Sequence, residues 1–374
     1  MKLLCLYQVM FQYRVGTYAA ISKIKGVDFE LWHGNDVPNT KLKNYKGDVS
    51  FRHRQIPCLH LPVKTNNGSS SQPLFPFLFF RLINYKPDVI LAEGASSLYA
   101  LSVAFLYSRL FHKKIIMWSM GKIAGRNYTG IRGLLQKCIR KIEKKSDALF
   151  VYSTQAEKYF IEEGVNPTKI FKAINVIDTK DKLASIRNHG DTEKELGFHV
   201  VFVGAINKTK RLELLIDAID VLAHKYEDIK LHIIGDGNYL QFIKQYVKEK
   251  NLGNTIIFHG RVTEGLNVLL TKYHVLALPG LGGLAIVDGM ISSMPIISGL
   301  ADGTELDLID EGNGFVTDNM TTNYMIEKLE LLYHNPELVQ RMGKKSYEKI
   351  TSTFSFESYI NQFSKCLNFV INEK

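Results

Sequence analysis

Residues 276–297 read LALPGLGGLAIVDGMISSMPII, and this stretch decides the expected fold. The apolar run 275–278 is typical of a buried strand, and the proline and glycines after it predict that the strand ends there. A helix is expected from about 284 to 294, because a proline follows it and a new apolar run begins at 296–297. The pattern therefore predicts a strand–turn–helix–strand unit of a parallel sheet.

The turn between this strand and this helix has the chemistry of an anion site. Free N–H groups at the start of a helix, together with the helix dipole, point toward one spot. We expect the amides of Gly282, Gly283 and Leu284 to hold a phosphate, while Asp288, about one turn into the helix, accepts hydrogen bonds from sugar hydroxyls. The alternative is an ordinary tight turn with Asp288 in solvent.

Strands alternate with helices on both sides of this stretch, through both halves of the chain. The alternation predicts an α/β fold of two Rossmann-like, doubly wound domains that face a central cleft. We place the first domain at 1–174, a polar linker at 175–197 and the second domain at 198–354. The C-terminal helix, 355–374, is expected to pack back on the first domain.

Charge is divided unevenly along the chain. Residues 1–190 contain 29 Lys and Arg against 13 Asp and Glu, whereas the remainder contains 18 against 24, and the net charge of the whole is +10. A strongly basic half indicates an anionic partner, which is a nucleic acid, an anionic lipid or a phosphorylated substrate.

The composition excludes several classes of protein. The chain has 374 residues and 45% apolar content, as in folded proteins of two domains. Its four cysteines lack the spacing of a zinc site, so we expect no metal and a reducing compartment. The apolar N-terminus is short and reads as a first strand, and with no apolar run of about 18 residues we expect no membrane-spanning helix.

Polar groups follow two predicted strands of the first half. Gly16 lies after the strand 2–9, where it lets the backbone approach a ligand, and Arg14 either meets an anion or lies in solvent. Glu93 ends the strand 88–93, and ligands of open α/β sheets gather at such ends. Glu93 therefore either faces a substrate or caps the next helix.

A basic amphipathic helix is predicted at 131–145, downstream of a segment with four phenylalanines at 73–85. Such a helix beside aromatic side chains is typical of surfaces that bind anionic membranes, and a solvated basic face is the alternative. The side chains expected to face an acceptor or the membrane are Arg14, Lys122, Lys137, Arg140 and Lys141.

Three loops of the second half follow predicted strand ends and carry cations or glycines. The first holds Lys208, Lys210 and Arg211, the second begins with Arg261 and Val262, and the third is the glycine turn. Cations and glycine amides around one cleft favour a diphosphate. The chain has no G-x-x-x-x-G-K-[ST] sequence, so the site is not a P-loop.

These segments, in this order, resemble the donor half of GT-B glycosyltransferases of the family 4 type, the retaining transferases that use nucleotide sugars. FVGAINKTKRLELLIDAI resembles the family's V-G-R-L-x-x-x-K-G-x-x-x-L-I-x-A, and LHIIGDGNY resembles its strand ending in G-x-G. The strings FHGRV, LALPG…GL…DGMISSMPII, IDEGNGFV and NPELVQRMGKKSYEKITSTFSFESY follow in the family's order. In the first half, MWSMGK and ALFVYS resemble family landmarks.

The resemblance implies roles for single residues. Lys210 should contact the donor diphosphate as a catalytic residue, Asp288 should bind ribose hydroxyls, and Glu93 is the second catalytic candidate from its place at a strand end. The donor-binding residues that it implies are Gly16, Lys208, Lys210, Arg211, Arg261, Val262, Gly282, Gly283, Leu284 and Asp288.

Three positions depart from the family pattern. The arginine of V-G-R is Ala205, the first glutamate of E-x7-E is Gly280, and the histidine often found in W-x-H-G is Met120. Each departure removes a polar contact to phosphate, donor sugar or reacting centre. A degenerate GT-B protein that binds nucleotide sugar or glycan without turnover is therefore the alternative function.

The leading expectation is a cytoplasmic glycosyltransferase, peripheral at the inner face of the cell membrane. It would move a sugar from a UDP-sugar, rather than a GDP-sugar, to a lipid-linked or glycan acceptor in surface polysaccharide synthesis. The nucleotide sugar is the expected co-substrate, with no cofactor. No nucleic-acid partner is expected, because the chain has no RNP-like or helix-turn-helix pattern.

Overall fold

The computed structural model of this chain describes residues 1–38, 42–65, 68–93, 97–121, 130–190 and 193–372. Its strands are β1 (Lys2–Tyr7), β2 (Asp28–His33), β3 (Arg52–Gln55), β4 (Leu59–Thr65), β5 (Gly68–Leu74), β6 (Val89–Glu93), β7 (Lys114–Ser119), β8 (Ala148–Val151), β9 (Ile170–Lys172), β10 (Phe198–Val203), β11 (Ile229–Ile234), β12 (Ile256–Gly260), β13 (Val275–Leu281), β14 (Ile296–Gly299) and β15 (Gly314–Thr317). Its helices are α1 (Val15–Ser22), α2 (Leu78–Tyr85), α3 (Leu98–Leu110), α4 (Gly130–Lys144), α5 (Thr154–Glu162), α6 (Lys180–His189), α7 (Leu212–Ala223), α8 (Leu240–Glu249), α9 (Leu266–Leu270), α10 (Ala285–Ile291), α11 (Thr304–Leu308), α12 (Thr322–Tyr333), α13 (Pro336–Thr351) and α14 (Phe356–Asn372).

The chain divides into two compact units. The first unit comprises 1–173 and 357–374, and the second comprises 174–356. Each unit is built on a parallel sheet with helical crossovers, so the predicted α/β fold of two Rossmann-like domains is confirmed. No helix in the described ranges is both long and apolar enough to cross a membrane.

The sheet of the first unit has the order β3-β2-β1-β6-β7-β8-β9, and every strand pair in it is parallel. Strand order reverses between β1 and β6, which makes a topological switch point at the carboxyl ends of these two strands. Strands β4 and β5 form a separate antiparallel hairpin. Helix α14 groups with this unit, where the ring of Phe363 packs edge-on against Phe150, with ring centroids 5.3 Å apart.

The sheet of the second unit has the order β12-β11-β10-β13-β14-β15, again all parallel. Every residue of β10 is buried, as expected for a strand covered on both faces. Helix α7 covers the sheet with Leu215, Ile219 and Leu222, which share one helix face. The switch point of this unit lies between β10 and β13, so the loops that follow these two strands flank the place where ligands bind in such sheets.

One predicted boundary in the stretch 276–297 is wrong. Strand β13 does not end at Leu278 but continues through Pro279 and Gly280 to Leu281, with a register shift against β14 between Leu278 and Leu281. Proline has no N–H group to donate to the neighbouring strand, so the hydrogen-bond ladder is interrupted at Pro279, but the strand continues beyond it.

Two kinds of element were missed because they carry no apolar pattern. All four residues of β3 are exposed at the sheet edge, so no alternation marks the strand. Helix α6 lies inside the predicted linker, and none of its residues is buried. It belongs to the second unit, where it packs against α9.

Three histidines form a hydrogen-bonded chain across β10, β11 and β12. The Nε2–H of His199 donates to the Leu196 carbonyl at 2.8 Å, so its Nδ1 accepts from His232 Nε2–H at 2.8 Å. His232 Nδ1 in turn accepts from His259 Nε2–H at 2.9 Å. The ring of His232, which accepts at Nδ1 in this arrangement, is therefore neutral, because a protonated imidazole has no acceptor nitrogen. Burial, followed by the neighbouring imidazoles, lowers the pKa of His232 to about 3.

We predict that these three hydrogen-bonded histidines make the second unit sensitive to acid. Folding lowers the pKa of His232 below its unfolded value of about 6.5. The contribution of His232 to the free energy of unfolding is therefore complete above pH 6.5 and is lost as pH falls toward 3. Glu305 opposes this trend, because burial raises its pKa to about 7 and the folded state then gains stability as pH falls. The effect of His232 is therefore measured as the difference between wild type and a variant without this histidine. Between pH 7.5 and 5.5 the urea midpoint of wild type should fall further than that of His232→Gln, and equal changes would contradict the prediction.

Candidate functional site

The candidate site of the second unit is built from two loops at the carboxyl edge of its sheet. The loop after β10 carries Lys210, and its ammonium donates to the carbonyl of Leu281 at the end of β13. The same loop places the Thr209 carbonyl against Gly280. These contacts join the loops on the two sides of the switch point, as the sequence predicted for adjacent strand ends.

Lys210 is held by a short 3-10 helix, Lys208–Lys210. The helix is capped by Asn207, whose side chain accepts from the Thr209 N–H at 3.1 Å. Burial lowers the pKa of Lys210, and the negative charge of Glu305 opposes that shift. A poorly solvated ammonium of this kind interacts strongly with an anion that approaches it.

The neighbouring cations are less enclosed. Lys208 is exposed, and Arg211 is exposed while one of its N–H groups donates to the Met320 carbonyl at 2.9 Å. Arg261 and Val262 directly follow β12 at the same edge, the first exposed and the second half-buried. Ala205, the position of the family's arginine, is exposed.

The glycine turn leaves backbone donors unused. Helix α10 begins at Ala285, and Gly283 before it has φ +62°, a conformation that favours glycine. In the part of the chain that the structure describes, no protein acceptor bonds the N–H groups of Gly282, Gly283 or Leu284. Three consecutive free N–H groups beside the Lys210 loop form a surface suited to an anion.

Gly280 is required by backbone packing. A Cβ at this position would lie 2.2 Å from the carbonyl oxygen of Thr209 and 2.8 Å from the Cα of Lys210. The family's first E-x7-E glutamate therefore cannot be accommodated unless the Lys210 loop moves away. Its absence follows from the close approach of the two loops.

We predict that Gly280→Glu, which restores the family's residue, destabilises the protein by about 1–3 kcal/mol, because the clash is with backbone. The matched control is Gly253→Glu, since a Cβ at Gly253 meets no atom within 4 Å. Urea unfolding of both variants measures the difference. Wild-type stability in Gly280→Glu would contradict this account of the loop.

Asp288 lies in α10 but does not project freely into solvent. Asp288 is only 8% exposed. Its Oδ1 accepts hydrogen bonds from Lys182 Nζ at 2.5 Å and from Asn267 Nδ2 at 3.1 Å. The alternative of an Asp288 in solvent is therefore wrong, and its binding of sugar hydroxyls stays a prediction. Neither partner was predicted, because Lys182 lies in the polar stretch taken as a linker.

Glu305 is a further polar residue of this edge that the sequence did not single out. It is buried at the start of α11, after β14, and its Oε2 accepts from the N–H groups of Ala301 and Gly303 at 3.3 and 3.2 Å. Burial, and then the charge of Asp302, raises its pKa to about 7. Its charge state therefore changes near neutral pH and affects Lys210.

In the first unit, Glu93 lies at the switch point between β1 and β6. Its Oε1 accepts a hydrogen bond from the Tyr7 hydroxyl at 2.7 Å, and Tyr7 is the last residue of β1. Burial and the Glu93 charge raise the pKa of Tyr7, so the phenol stays protonated as a donor. Gly16 lies in the first turn of α1, and Met120 is half-buried after β7.

Arg14 does not face solvent, so its predicted place at a membrane surface is wrong. Only 3% of the residue is exposed, its Nη2 donates to the Tyr152 hydroxyl at 2.9 Å, and its guanidinium lies 4.0 Å from the ring centroid of Trp118. Buried aromatic faces accommodate a guanidinium through cation–π attraction.

Helix α4 presents only some of its predicted cations. Arg140 is half-buried, forms an ion pair with Glu143 at 2.6 Å and donates to the Gly121 carbonyl, so its guanidinium is engaged within the unit at the loop after β7. Lys137 and Lys141 are exposed as predicted. Lys122 lies outside the described residues.

Exposed apolar side chains cover neighbouring helices of the first unit. Helix α3 packs against both α2 and α4. We call the outer side of these three helices the α2–α4 surface, with exposed apolar residues Phe77, Phe80, Leu106, Leu110, Phe111, Leu134 and Leu135. Lys137 and Lys141 are exposed on the same face of α4 as Leu134, so the exposed side chains of these helices are both apolar and basic.

Comparison with known proteins agrees with this geometry. Residues 187–349 match the model of the family described as Glycosyl transferases group 1. The Staphylococcus aureus enzyme named poly(ribitol-phosphate) alpha-N-acetylglucosaminyltransferase is 26% identical over 218 residues, which is 58% of this chain and 43% of that enzyme. The match therefore spans less than half of that relative's length.

Solved structures extend the likeness to nearly the whole chain. The Anabaena protein HepE in complex with UDP has a TM-score of 0.73 at 15% identity, covering 98% of this chain and 100% of that one. Staphylococcus aureus TarM, determined with fondaparinux, alpha-GlcNAc-glycerol and UDP, has a TM-score of 0.69 at 13% identity, covering 98% and 99%. At such identities the likeness shows the fold, which is of the GT-B type.

Proposed function

We propose that this chain, whose residues 187–349 form a group 1 glycosyl transferase domain within a GT-B fold, transfers a sugar from a nucleotide donor to a glycan or lipid-linked acceptor. The donor is a UDP-sugar, the configuration at the sugar is retained, and the product belongs to surface polysaccharide synthesis. The UDP in the two solved neighbours and the polymeric acceptor in the name of the staphylococcal relative support this choice.

One observation carries the donor part of the proposal. The half-buried ammonium of Lys210 and the unused N–H groups of Gly282, Gly283 and Leu284 come together at the switch point of the second unit. This edge suits a diphosphate. Lys208 and Arg211 add positive charge, Asp288 takes ribose hydroxyls, and Arg261 with Val262 borders the base.

The chemistry follows from charge. The bond between the sugar C1 and the diphosphate oxygen breaks, the acceptor oxygen bonds to C1 on the face that the diphosphate leaves, and the acceptor's proton passes to the departing phosphate. Negative charge grows on that phosphate, where Lys210 and the amides stabilise it. Glu93, oriented by Tyr7, is proposed to accept a hydrogen bond from the acceptor hydroxyl.

The test is a thermal-shift panel of UDP, GDP and ADP, followed by assay of UDP release from UDP-sugars with a glycan acceptor. We expect UDP to raise the melting temperature most, and turnover with at least one UDP-sugar. A shift without any UDP release, even by hydrolysis, would instead support the binding protein without turnover that Ala205, Gly280 and Met120 suggest. No response to any nucleotide would overturn the proposal.

We also propose that the α2–α4 surface binds an anionic membrane, which would bring the enzyme to a lipid-linked acceptor at the inner face of the cell membrane. Apolar side chains enter the interface while lysines attract anionic headgroups, and this combination gives reversible binding. The exposed phenylalanines and leucines of these three helices, together with the exposed Lys137 and Lys141 of α4, support the proposal.

We predict that flotation with vesicles containing anionic lipid recovers the wild-type protein, and that Lys137→Glu with Lys141→Glu abolishes recovery. The control is Lys244→Glu with Lys248→Glu, which makes the same charge change at the same helical spacing on α8 of the second unit. Binding should weaken with salt, because the attraction is partly electrostatic. Equal recovery of the two double variants would exclude the α2–α4 surface.

A further inference from the structure

The carboxylate of Asp288 is held on one side only. Lys182 Nζ from α6, at 2.5 Å, and Asn267 Nδ2 from α9, at 3.1 Å, both contact its Oδ1. In the described part of the chain no protein donor reaches the other oxygen, Oδ2. The carboxylate therefore keeps one oxygen with acceptor capacity while its orientation is set by the other.

The three residues lie on three helices that pack together. Helix α9 packs against both α6 and α10, and Asn267 and Asp288 are buried. The side chain of Lys182 is 31% exposed, so the ion pair lies at the edge of the unit and not in its centre. A buried carboxylate stays charged only when cations or donors compensate it, and these two residues provide that compensation.

We propose that Lys182 and Asn267 are positioning residues that fix Asp288 so that Oδ2 accepts a hydrogen bond from a ribose hydroxyl of the donor nucleotide. The inference rests on the proposed function, since it names how the donor site recognises ribose. Aspartate is one methylene shorter than the glutamate of the family pattern. Its reach therefore depends on a fixed orientation, which the bonds to Oδ1 provide.

Loss of Lys182 has a consequence specific to ribose. With methionine at this position the carboxylate loses its charged partner and one of the two bonds that orient it, so Oδ2 ceases to be a fixed acceptor. A hydrogen bond to a charged group is worth about a ten- to hundredfold change in affinity. The diphosphate contacts at Lys210 and the glycine turn are untouched by this change.

The experiment compares UDP with 2′,3′-dideoxyuridine diphosphate by isothermal titration calorimetry. For wild type we expect UDP to bind about tenfold or more tightly than the dideoxy analogue. For Lys182→Met we expect UDP to bind only as well as the analogue, whose own affinity is unchanged. Asn267→Ala should lie between, and Lys182→Arg should restore most of the preference, because guanidinium also pairs with carboxylate.

Lys180→Met is the control, since Lys180 is exposed on the same helix. It should keep the wild-type preference for UDP. Equal weakening of both ligands by Lys182→Met would mean that the ion pair is only structural, and tighter UDP binding would mean that Lys182 blocks the site; either result overturns the inference. Wild type that binds UDP without a preference for ribose also overturns it, whereas wild type that binds no UDP refutes the proposed function itself.

Discussion

Lys210→Met is expected to lower turnover of the UDP-sugar by about 100- to 1000-fold, the cost of removing one donor that stabilises charge formed in a transition state. Methionine keeps the length of the side chain but removes the ammonium beside Leu281. Because burial already lowers the pKa of Lys210, the group is poorly solvated and acts strongly on the leaving phosphate. Steady-state assay of UDP release measures the effect, and calorimetry should show weaker UDP binding as well.

Lys208→Met is the matched control, because Lys208 is an exposed lysine of the same short helix. Its effect on turnover should stay within about tenfold, since a solvated charge acts through a high dielectric. If the two variants lose activity equally, the loop contributes only general positive charge. If Lys210→Met retains wild-type turnover, the diphosphate is bound elsewhere.

Arg140→Met should have the largest effect on stability, lowering the free energy of unfolding by about 3 to 5 kcal/mol, as for a buried ion pair that loses one partner. Glu143 is 1% exposed and has Arg140 at 2.6 Å and the Ser119 hydroxyl at 2.6 Å as its partners. Without the guanidinium, the buried carboxylate has only a neutral donor. Urea unfolding at pH 7.5 measures the loss.

Lys141→Met is the control for Arg140, because Lys141 is the adjacent lysine of α4 and is exposed. Its unfolding free energy should be within about 0.5 kcal/mol of wild type. The deficit of Arg140→Met should shrink as pH falls toward 5, because burial raises the pKa of Glu143 and a protonated carboxyl needs no cation. A deficit independent of pH would mean that lost packing, not charge, is responsible.

The fold was most predictable where burial dictates the residue types. The strands predicted at 2–9 and 88–93 were placed within a few residues of β1 and β6, because covered parallel strands are continuous apolar runs. Strand β3 and helix α6 were not predicted, since β3 is an exposed edge strand and α6 has no buried face. Their positions depend on neighbours distant in sequence, which no local pattern records.

The candidate site divides in the same way. Lys210 and the glycine turn could be brought together from sequence, because carboxyl ends of neighbouring parallel strands share an edge. The burial of Arg14 could not be predicted from sequence, since its hydrogen-bond partner Tyr152 is 138 residues away. The pairing of Lys182 with Asp288 joins residues 106 apart and was equally hidden.

The close approach at Gly280 has a mechanical consequence. With the Thr209 carbonyl against this residue and the Lys210 ammonium on the Leu281 carbonyl, neither loop can shift without carrying the other. We therefore expect the ammonium and the glycine turn to keep their spacing when a ligand binds and leaves. An enzyme built in this way would not need to bring the ammonium and the N–H groups of the turn back together in each catalytic cycle.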